Sequence, residues 1–306
     1  MKILIIITLL FTSLFSGDVF DYKLTPKKVS ENVWCFFGAL EPPTKENGGA
    51  MVNSCYVKTK ESFVVIDSGP SYQFALQAYT AMSKIAKLPV KMVIASHEHD
   101  DHWLGNNYYK EKFSSKLVGP ENIDTAHKSV DETRMFKVIP KNAIKGTKIV
   151  KLDQHIKKST TITVGEEVFE IIPIGEKAHS HEDTFIYLPK RKVLFAGDVV
   201  MNGRITSNRD GSVIGQLKAH KLIKSKDWNV LVAGHGYITD KTAMDESSQY
   251  FTLLNKRVSQ ALEDDIEASE ITKLVKMKEF EDKAMYKELN ARNVLDAYIE
   301  LEFVEE

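Results

Sequence analysis

This chain of 306 residues has only two cysteines and no marked excess of either charge. So few cysteines exclude a small domain stapled by several disulfides, and the length suits one large domain or two modest ones. Lys and Arg total 41 and Asp and Glu total 42, so the chain lacks the positive surplus that neutralises phosphates in nucleic-acid complexes. We therefore expect no nucleic-acid partner. With 43% hydrophobic residues, the composition is that of an ordinary globular protein.

The chain has one long apolar run, and it lies at the N-terminus. Residues 3–15 are apolar apart from two threonines and a serine, they follow Lys2, and the small residues Ser16 and Gly17 come next. This order is typical of a secretory signal peptide, and the run is shorter than the ~20 residues that a membrane-spanning helix needs. An uncleaved anchor is the alternative. We expect residues 1–17 to be a leader, the protein to be periplasmic or secreted, and no stable membrane insertion after the leader is removed.

The two cysteines, Cys35 and Cys55, lie in strand-like segments. Export would place them in an oxidising compartment, where a disulfide across neighbouring strands could persist. The alternative is a pair of small buried hydrophobic side chains. Because nothing in the sequence fixes the distance between them, we favour two unpaired cysteines.

Short apolar runs and helical patterns alternate as far as about residue 240. Six of these runs predict buried strands, at residues 63–67, 92–95, 168–172, 185–188, 193–196 and 230–233. Ser71 can cap a helix whose apolar positions recur every three or four residues. The mixture predicts an α/β or α+β protein with a sheet core. Residues 241–306 contain no glycine or proline and have helical spacing, which predicts a C-terminal helical segment.

The most informative segment reads His-Glu-His-Asp-Asp-His over residues 97–102, directly after a predicted strand. In an extended backbone alternate side chains project to the same side, so His97, His99 and Asp101 can share one side while a bend brings His102 round. Imidazole and carboxylate groups are the usual ligands of catalytic Zn²⁺. A polar surface loop is the alternative.

Three further residues can complete a metal site. His179, Asp198 and His235 each lie in a loop after an apolar run, and neighbouring glycines permit close backbone approach. Strand ends on one edge of a sheet converge, so we expect these side chains to join the cluster at 97–102. Taken singly, each is also compatible with an ordinary hydrogen-bonded histidine or a turn aspartate.

Together these motifs resemble the metallo-β-lactamase superfamily. The His-x-His-x-Asp-His string, a later histidine, a Gly-Asp pair after a strand and a Gly-His-Gly follow that family's order over roughly residues 25–240. The resemblance implies an α+β fold, a four-layer αβ/βα sandwich over residues 18–240, with 241–306 as a helical extension. It also implies two Zn²⁺ ions per chain, with Fe or Mn as alternatives, held at one edge of the sandwich.

The resemblance assigns the ligands position by position. His97, His99 and His179 would hold the first metal, Asp101, His102 and His235 the second, and Asp198 would bridge both. Asp101 would also be catalytic, by orienting the attacking hydroxide or moving its proton. Asp183 is expected either to hold a ligand imidazole by accepting its second ring proton or to cap a helix or strand.

A pair of Zn²⁺ ions lowers the pKa of a shared water towards ~7, so a hydroxide bridging them could attack a carbonyl carbon without an activated serine or cysteine. In the superfamily, true β-lactamases generally lack an acidic bridge at the position of Asp198, whereas the glyoxalase II-like, lactonase and phosphodiesterase branches have one. We therefore expect a hydrolase that cleaves an ester, thioester or lactone-type bond of a small molecule.

Both ends of the chain resemble an exported branch of zinc metallohydrolases associated with quinoprotein relay or sulfur oxidation. Residues 47–49 with Asn53 are similar to the N-terminal motif of that branch, and residues 293–302 are similar to its C-terminal end. The alternatives are an iron-dependent sulfur oxidoreductase of the same fold, a metallo-β-lactamase, or a non-catalytic metal-binding periplasmic protein. The sequence leaves open the oligomeric state and the role of residues 241–306.

Overall fold

The computed structural model describes residues 19–303. The predicted leader, residues 1–17, lies outside the described residues, so that prediction stays a prediction. In the described range, no helix combines the length and the apolar character needed to cross a membrane.

Twelve strands in the described range form two sheets. The first sheet contains, in spatial order, β1 (Lys27–Ser30), β2 (Val33–Phe36), β3 (Ser54–Lys58), β4 (Phe63–Ile66), β5 (Val90–Ile94), β6 (Lys116–Gly119) and β7 (Gln154–His155). The second contains β8 (Thr160–Val164), β9 (Glu167–Pro173), β10 (Thr184–Leu188), β11 (Val193–Phe195) and β12 (Val230–Val232). Pairing is antiparallel from β1 to β4 and parallel from β4 to β7; in the second sheet only β11 and β12 are parallel.

Helices cover the outer faces of the sheets and form the C-terminal segment. They are α1 (Tyr72–Ser83), α2 (Asp100–Trp103), α3 (Asn106–Phe113), α4 (Ile123–Ala126), α5 (Arg134–Val138), α6 (Lys141–Ile144), α7 (Val213–Lys224), α8 (Asp245–Glu263), α9 (Ala268–Leu274) and α10 (Tyr286–Glu302). Short 3₁₀ turns occur at Val130–Glu132, Gly197–Val199 and Lys278–Phe280. As predicted, Ser71 caps α1, and its hydroxyl accepts a hydrogen bond from the N–H of Phe74 (3.1 Å).

Alternate residues of the central strands face two different cores. In β4, Val64 and Ile66 pack between the two sheets, whereas Phe63 and Val65 pack against α1. β10 is divided in the same way between the inter-sheet core and α7. Because both faces of such strands are buried, they read as continuous apolar runs in the sequence. The order of layers is therefore helix, sheet, sheet, helix, which confirms the predicted four-layer α+β sandwich.

The prediction of two unpaired cysteines was wrong. β2 and β3 pair antiparallel with Cys35 directly opposite Cys55, and the two sulfurs form a disulfide. Both cysteines are buried in the core between the sheets. Two strands joined by a long loop take their register from packing in the sheet, so spacing along the chain could not show the pairing.

The C-terminal helices share a core of their own. Leu254, Val258 and Val294 from α8 and α10 pack with Ile205, which precedes α7, and with Val213 at the start of α7. The helices predicted for residues 241–306 are thus present in the described part of that segment. They rest on the loop between β11 and α7. The boundary predicted near residue 240 stays a prediction.

Candidate metal centre

The sandwich brings four separate loops together at one edge. His97 and His99 follow β5, His179 lies between β9 and β10, Asp198 follows β11, and His235 follows β12. All seven predicted side chains converge there, and all are buried except the half-buried His99. Their potential ligand atoms form two adjacent groups, one with His97, His99, His179 and Asp198, the other with Asp101, His102 and His235.

The first group has the spacing of a metal shell. Nδ1 of His99 lies 3.0 Å from Nε2 of His97 and 2.9 Å from Nε2 of His179. Ligand atoms around a tetrahedral Zn²⁺ with bonds of about 2.0 to 2.1 Å stand about 3.3 Å apart. The three imidazoles therefore already hold their nitrogens near the separation that a shared metal would impose.

The carboxylate of Asp198 contacts both groups. Its Oδ2 lies 3.3 Å from Nε2 of His179 and 3.2 Å from Nε2 of His235, and its Oδ1 lies 3.2 Å from Nε2 of His102. The carboxylate therefore contacts histidines of both groups, and its role as a bridging ligand stays a prediction.

The backbone of the histidine string departs from the expected extended form. It is extended only to His99, because residues 100–103 form α2, in which the N–H of His102 donates to the carbonyl of His99 (3.0 Å). The expectation that Asp101 projects beside His97 and His99 was therefore wrong. The turn carries Asp101 towards the second group, where its Oδ2 lies 3.5 Å from Nε2 of His235. Acidic residues at the start of a helical turn favour this conformation.

Two glycines are required by the geometry around Asp198. Gly197 has a left-handed backbone (φ +54°), and a Cβ there would lie 2.8 Å from Cβ of Ser96. At Gly234 a Cβ would collide with Oδ1 of Asp198. The Gly-Asp and Gly-His pairs of the sequence thus exist because backbone and carboxylate approach each other closely.

Asp67 is a supporting residue that sequence reasoning missed. Its Oδ2 accepts hydrogen bonds from Nδ1 of His102 and from the hydroxyl of Ser96 (2.9 Å each), and that hydroxyl lies 3.0 Å from Nδ1 of His97. A proton held on Nδ1 leaves Nε2 free to bind a metal. Asp67 follows the apolar run of β4, which is the same signal that singled out Asp198.

Other hydrogen bonds near the centre fix His235, His179 and His181 in different ways. Nδ1 of His235 donates to the carbonyl of Met51 (2.5 Å), which holds that ring in the same tautomer. Asp183 accepts the backbone N–H groups of His179 (2.9 Å) and Ser180 (2.8 Å), so it caps the local turn and does not hold a ligand ring. His181 is largely exposed and pairs with Glu98, apart from both ligand groups.

The electrostatics keep Asp198, Asp101 and His97 in metal-binding protonation states, whereas Asp198 raises the pKa of His102 and of His179 although burial acts in the opposite direction. Burial would raise the pKa of Asp198, but the imidazoles of His235, His102 and His97 hold it well below its ordinary value. Burial would likewise raise the pKa of Asp101, which Arg134 and the nearby histidines bring down to about 2. Burial and the neighbouring His102 lower the pKa of His97, so its imidazole is neutral and has a free lone pair.

Among residues 19–303, four buried atoms of the proposed ligand residues have no hydrogen-bond partner, and one of them is Nδ1 of His179. The other three are Oδ2 of Asp101, Nε2 of His102 and Oδ1 of Asp198. Buried polar atoms without partners are rare, and these three face one another in a nest of imidazole and carboxylate donors. The residues present therefore fit metal ions.

A cleft of about 510 Å³ opens onto these groups. Its wall includes Arg134, Arg204 and Arg209, and α10 and the residue before it add Leu289 and Met285. The C-terminal segment, whose role the sequence left open, therefore forms part of the wall of the cleft.

Comparisons with known proteins agree with this geometry. A family model described as the metallo-β-lactamase superfamily matches residues 47–235. The chain is 26% identical to a type 2 metallo-β-lactamase of Elizabethkingia meningoseptica over 63% of this chain and 72% of that protein. It is 28% identical to a hydroxyacylglutathione hydrolase of Brucella ovis over 47% of this chain and 48% of that protein, so it spans about half the length of that relative.

Among solved structures, a metallo-β-lactamase from Pontibacter korlensis superposes with a TM-score of 0.59 and 21% identity, covering 75% of this chain and 99% of that one. At that identity the likeness shows the fold alone. The family match, by contrast, spans more than half of the chain and includes all seven converging side chains. This chain therefore belongs to the metallo-β-lactamase superfamily.

Proposed function

We propose that this chain is an exported hydrolase with two zinc ions that cleaves an ester, thioester or lactone-type bond of a small molecule. The observation that carries the proposal is the carboxylate of Asp198, which lies between the two histidine groups and contacts both. An acidic bridge at this position is the feature that separates the ester- and lactone-cleaving branches from true β-lactamases in the resemblance described above.

The proposed ligand sets follow the two groups of donor atoms. His97, His99 and His179 would hold one ion, Asp101, His102 and His235 the other, and Asp198 both. When bound, such ions polarise a substrate oxygen and lower the pKa of water towards ~7, which makes a nucleophile available at neutral pH. Thiol- and serine-based chemistry is not needed in such a site.

Asp101 is suited to hold or move the proton of the attacking water. Its Oδ1 accepts a hydrogen bond from Arg134 (2.7 Å), which fixes the carboxylate, while its Oδ2 faces the second group without a hydrogen-bond partner among the described residues. Because the carboxylate is anionic at neutral pH, Oδ2 can accept a hydrogen bond from that water and hold its proton in a fixed direction.

Export is supported by two independent features. The N-terminal residues have the order of a secretory leader. The disulfide between Cys35 and Cys55 is of a kind that persists in oxidising compartments. Membership of the exported branch associated with quinoprotein relay or sulfur oxidation rests on the similarity of residues 47–49 with Asn53, and of residues 293–302, to the motifs of that branch.

The test combines metal analysis with a substrate panel. We expect the purified protein to bind about two zinc ions per chain and to hydrolyse thioesters or lactones faster than β-lactams or phosphodiesters. Asp198→Ala and His99→Ala should lower metal content and turnover together, by about 100-fold or more in turnover. Asp227→Ala and His155→Ala, which alter residues outside the two groups, are the matched controls.

Three results would contradict the proposal. Full metal content and turnover in both Asp198→Ala and His99→Ala would remove the ligand assignment. Hydrolysis of β-lactams alone would make the protein a β-lactamase. Iron in place of zinc, with no hydrolysis of any substrate on the panel, would favour the oxidoreductase.

A further inference from the structure

Arg204 is a buried cation in the wall of the cleft. The residue is 8% exposed, and its Nε and Nη1 are buried without a hydrogen-bond partner among residues 19–303. A guanidinium keeps its charge in proteins and has five N–H donors. Burying such a group without partners is strongly unfavourable, so a partner that the described chain does not supply is expected.

The other two arginines of the cleft already have carboxylate partners. Arg134 donates to Asp101 (2.7 Å) and Asp100 (3.2 Å), and Arg209 donates to the neighbouring Asp210 (2.8 Å). Both are also more exposed than Arg204. Arg204 therefore differs from its neighbours in being both buried and without a partner.

The backbone around Arg204 is held firmly in place. Arg204 forms a strand-like bridge with Ala284, the N–H of Ile205 donates to the carbonyl of Ala284 (2.9 Å), and the N–H of Gly203 donates to Glu246 (2.6 Å). A side chain on a fixed backbone loses little entropy when it binds a ligand. Arg204 is thus preorganised as a binding group.

The carboxylates of the metal centre do not supply the hydrogen-bond partners that Arg204 lacks. Burial lowers the pKa of Arg204 below its ordinary value although Asp198 and Asp101 act in the opposite direction. Both of those carboxylates already face histidines, and neither forms an ion pair with Arg204 in the described structure. The negative charge of these carboxylates affects the pKa of Arg204, but the buried N–H groups at Nε and Nη1 have no acceptor among the described residues.

We propose that Arg204 binds a carboxylate carried by the substrate, so that the enzyme selects esters, thioesters or lactones with an anionic group near the scissile bond. This deepens the proposed function and rests on it. A planar guanidinium matches a carboxylate with two parallel hydrogen bonds. The same cleft contains both Arg204 and the proposed metal ligands, so one molecule can reach both.

The first test compares matched esters. The 4-nitrophenyl hemiesters of succinate, glutarate and adipate carry a carboxylate at increasing distances from the ester, and their methyl diesters are the neutral counterparts. We expect the wild type to prefer one hemiester over its counterpart by roughly 10-fold or more in kcat/KM. Arg204→Gln should abolish that preference while leaving turnover of the neutral ester within about threefold, whereas Arg292→Gln, a surface control, should keep it.

A second test does not depend on activity. Isothermal titration of the zinc-loaded protein with glutarate and with its monomethyl ester measures the contribution of the second carboxylate to binding. We expect glutarate to bind roughly 10-fold more tightly than the monoester to the wild type and equally to Arg204→Gln. Arg204→Lys should retain part of the difference, because it keeps the charge but not the planar fork.

Thermal unfolding separates binding from a structural role. Arg204→Gln removes a buried charge without a partner, so the proposal requires a Tm equal to or above that of the wild type. A lower Tm or an unchanged carboxylate preference in Arg204→Gln would overturn the proposal, and so would a wild type with no preference in either test. If no ester is hydrolysed but glutarate binding still depends on Arg204, the proposed reaction fails and the carboxylate site stands.

Discussion

Asp67 illustrates how much of the metal centre depends on side chains outside the ligand set. Its carboxylate accepts from the backbone N–H of Ser96 (2.7 Å), from the hydroxyl of Ser96 and from Nδ1 of His102 (2.9 Å each). All three partners donate, so the position requires a group that only accepts. Asp67 thereby fixes the tautomer of His102 and the orientation of the segment that carries His97.

We predict that Asp67→Asn lowers the metal affinity of the protein by about 10- to 100-fold. The amide of asparagine has one acceptor oxygen, so at least one donor of Ser96 or His102 would face an N–H₂ group. Competition with a chelator of known affinity measures the change, and Asp227→Asn on the surface is the control. Equal metal affinity in Asp67→Asn and the control would show that Asp67 does not position His102.

At the scale of elements, α10 holds the loop that carries Arg204. The side-chain amide of Asn293 donates to the carbonyl of Thr206 (2.8 Å), and its oxygen accepts from the N–H of Asn208 (2.9 Å). Near the C-terminal end of α10, Glu300 accepts a hydrogen bond from the N–H of Val213 (2.7 Å) at the start of α7. The C-terminal motif of the sequence thus consists of residues that attach this helix to the cleft.

We predict that Asn293→Ala destabilises the protein by about 1–3 kcal/mol, because it leaves the buried backbone groups of Thr206 and Asn208 without partners. Hydrogen exchange should increase across residues 203–211 before it increases in the sheets. The matched control is Arg292→Ala on the exposed side of the same helix, which should change stability by less than about 0.5 kcal/mol. If Asn293→Ala lost stability but hydrogen exchange in residues 203–211 did not change, α10 would not be what holds this loop.

The strands predicted from the sequence are mostly buried on both faces, so their apolar residues are consecutive in the chain. The six apolar runs correspond to β4, β5, β9, β10, β11 and β12. By contrast, β7 is only two residues long, and β8 alternates half-buried and exposed residues at a sheet edge, so neither was predicted. The helical turn α2 was missed because four residues are too few to show a helical period.

At the scale of the whole molecule, the disulfide ties together two strands of the first sheet within the inter-sheet core. It joins cysteines 20 residues apart in the sequence, and both side chains are fully buried. Closing a loop of this length stabilises a protein by about 3 kcal/mol through the unfolded state.

We therefore predict that Cys35→Ala lowers the free energy of unfolding by about 3 kcal/mol in denaturant titration. Cys55→Ala and the double variant should lose about the same amount, because either change alone removes the bond. If the double variant lost the sum of the two single losses, the two cysteines would contribute independently and not through one bond. The same conclusion would follow if a reductant present during unfolding did not change the stability of the wild type.

The sequence by itself determined the superfamily, the four-layer sandwich and the metal-dependent hydrolase class, because local strings such as 97–102 and buried apolar strands carry their signal in consecutive residues. The comparisons confirm these predictions at the level of the superfamily. The assignment of ligands, the number of zinc ions and export stay predictions. Only the tertiary structure decided the Cys35–Cys55 disulfide, the support of His102 by Asp67 and the burial of Arg204 without a partner. Each of these depends on register or packing between distant segments, which leave no local pattern in the chain.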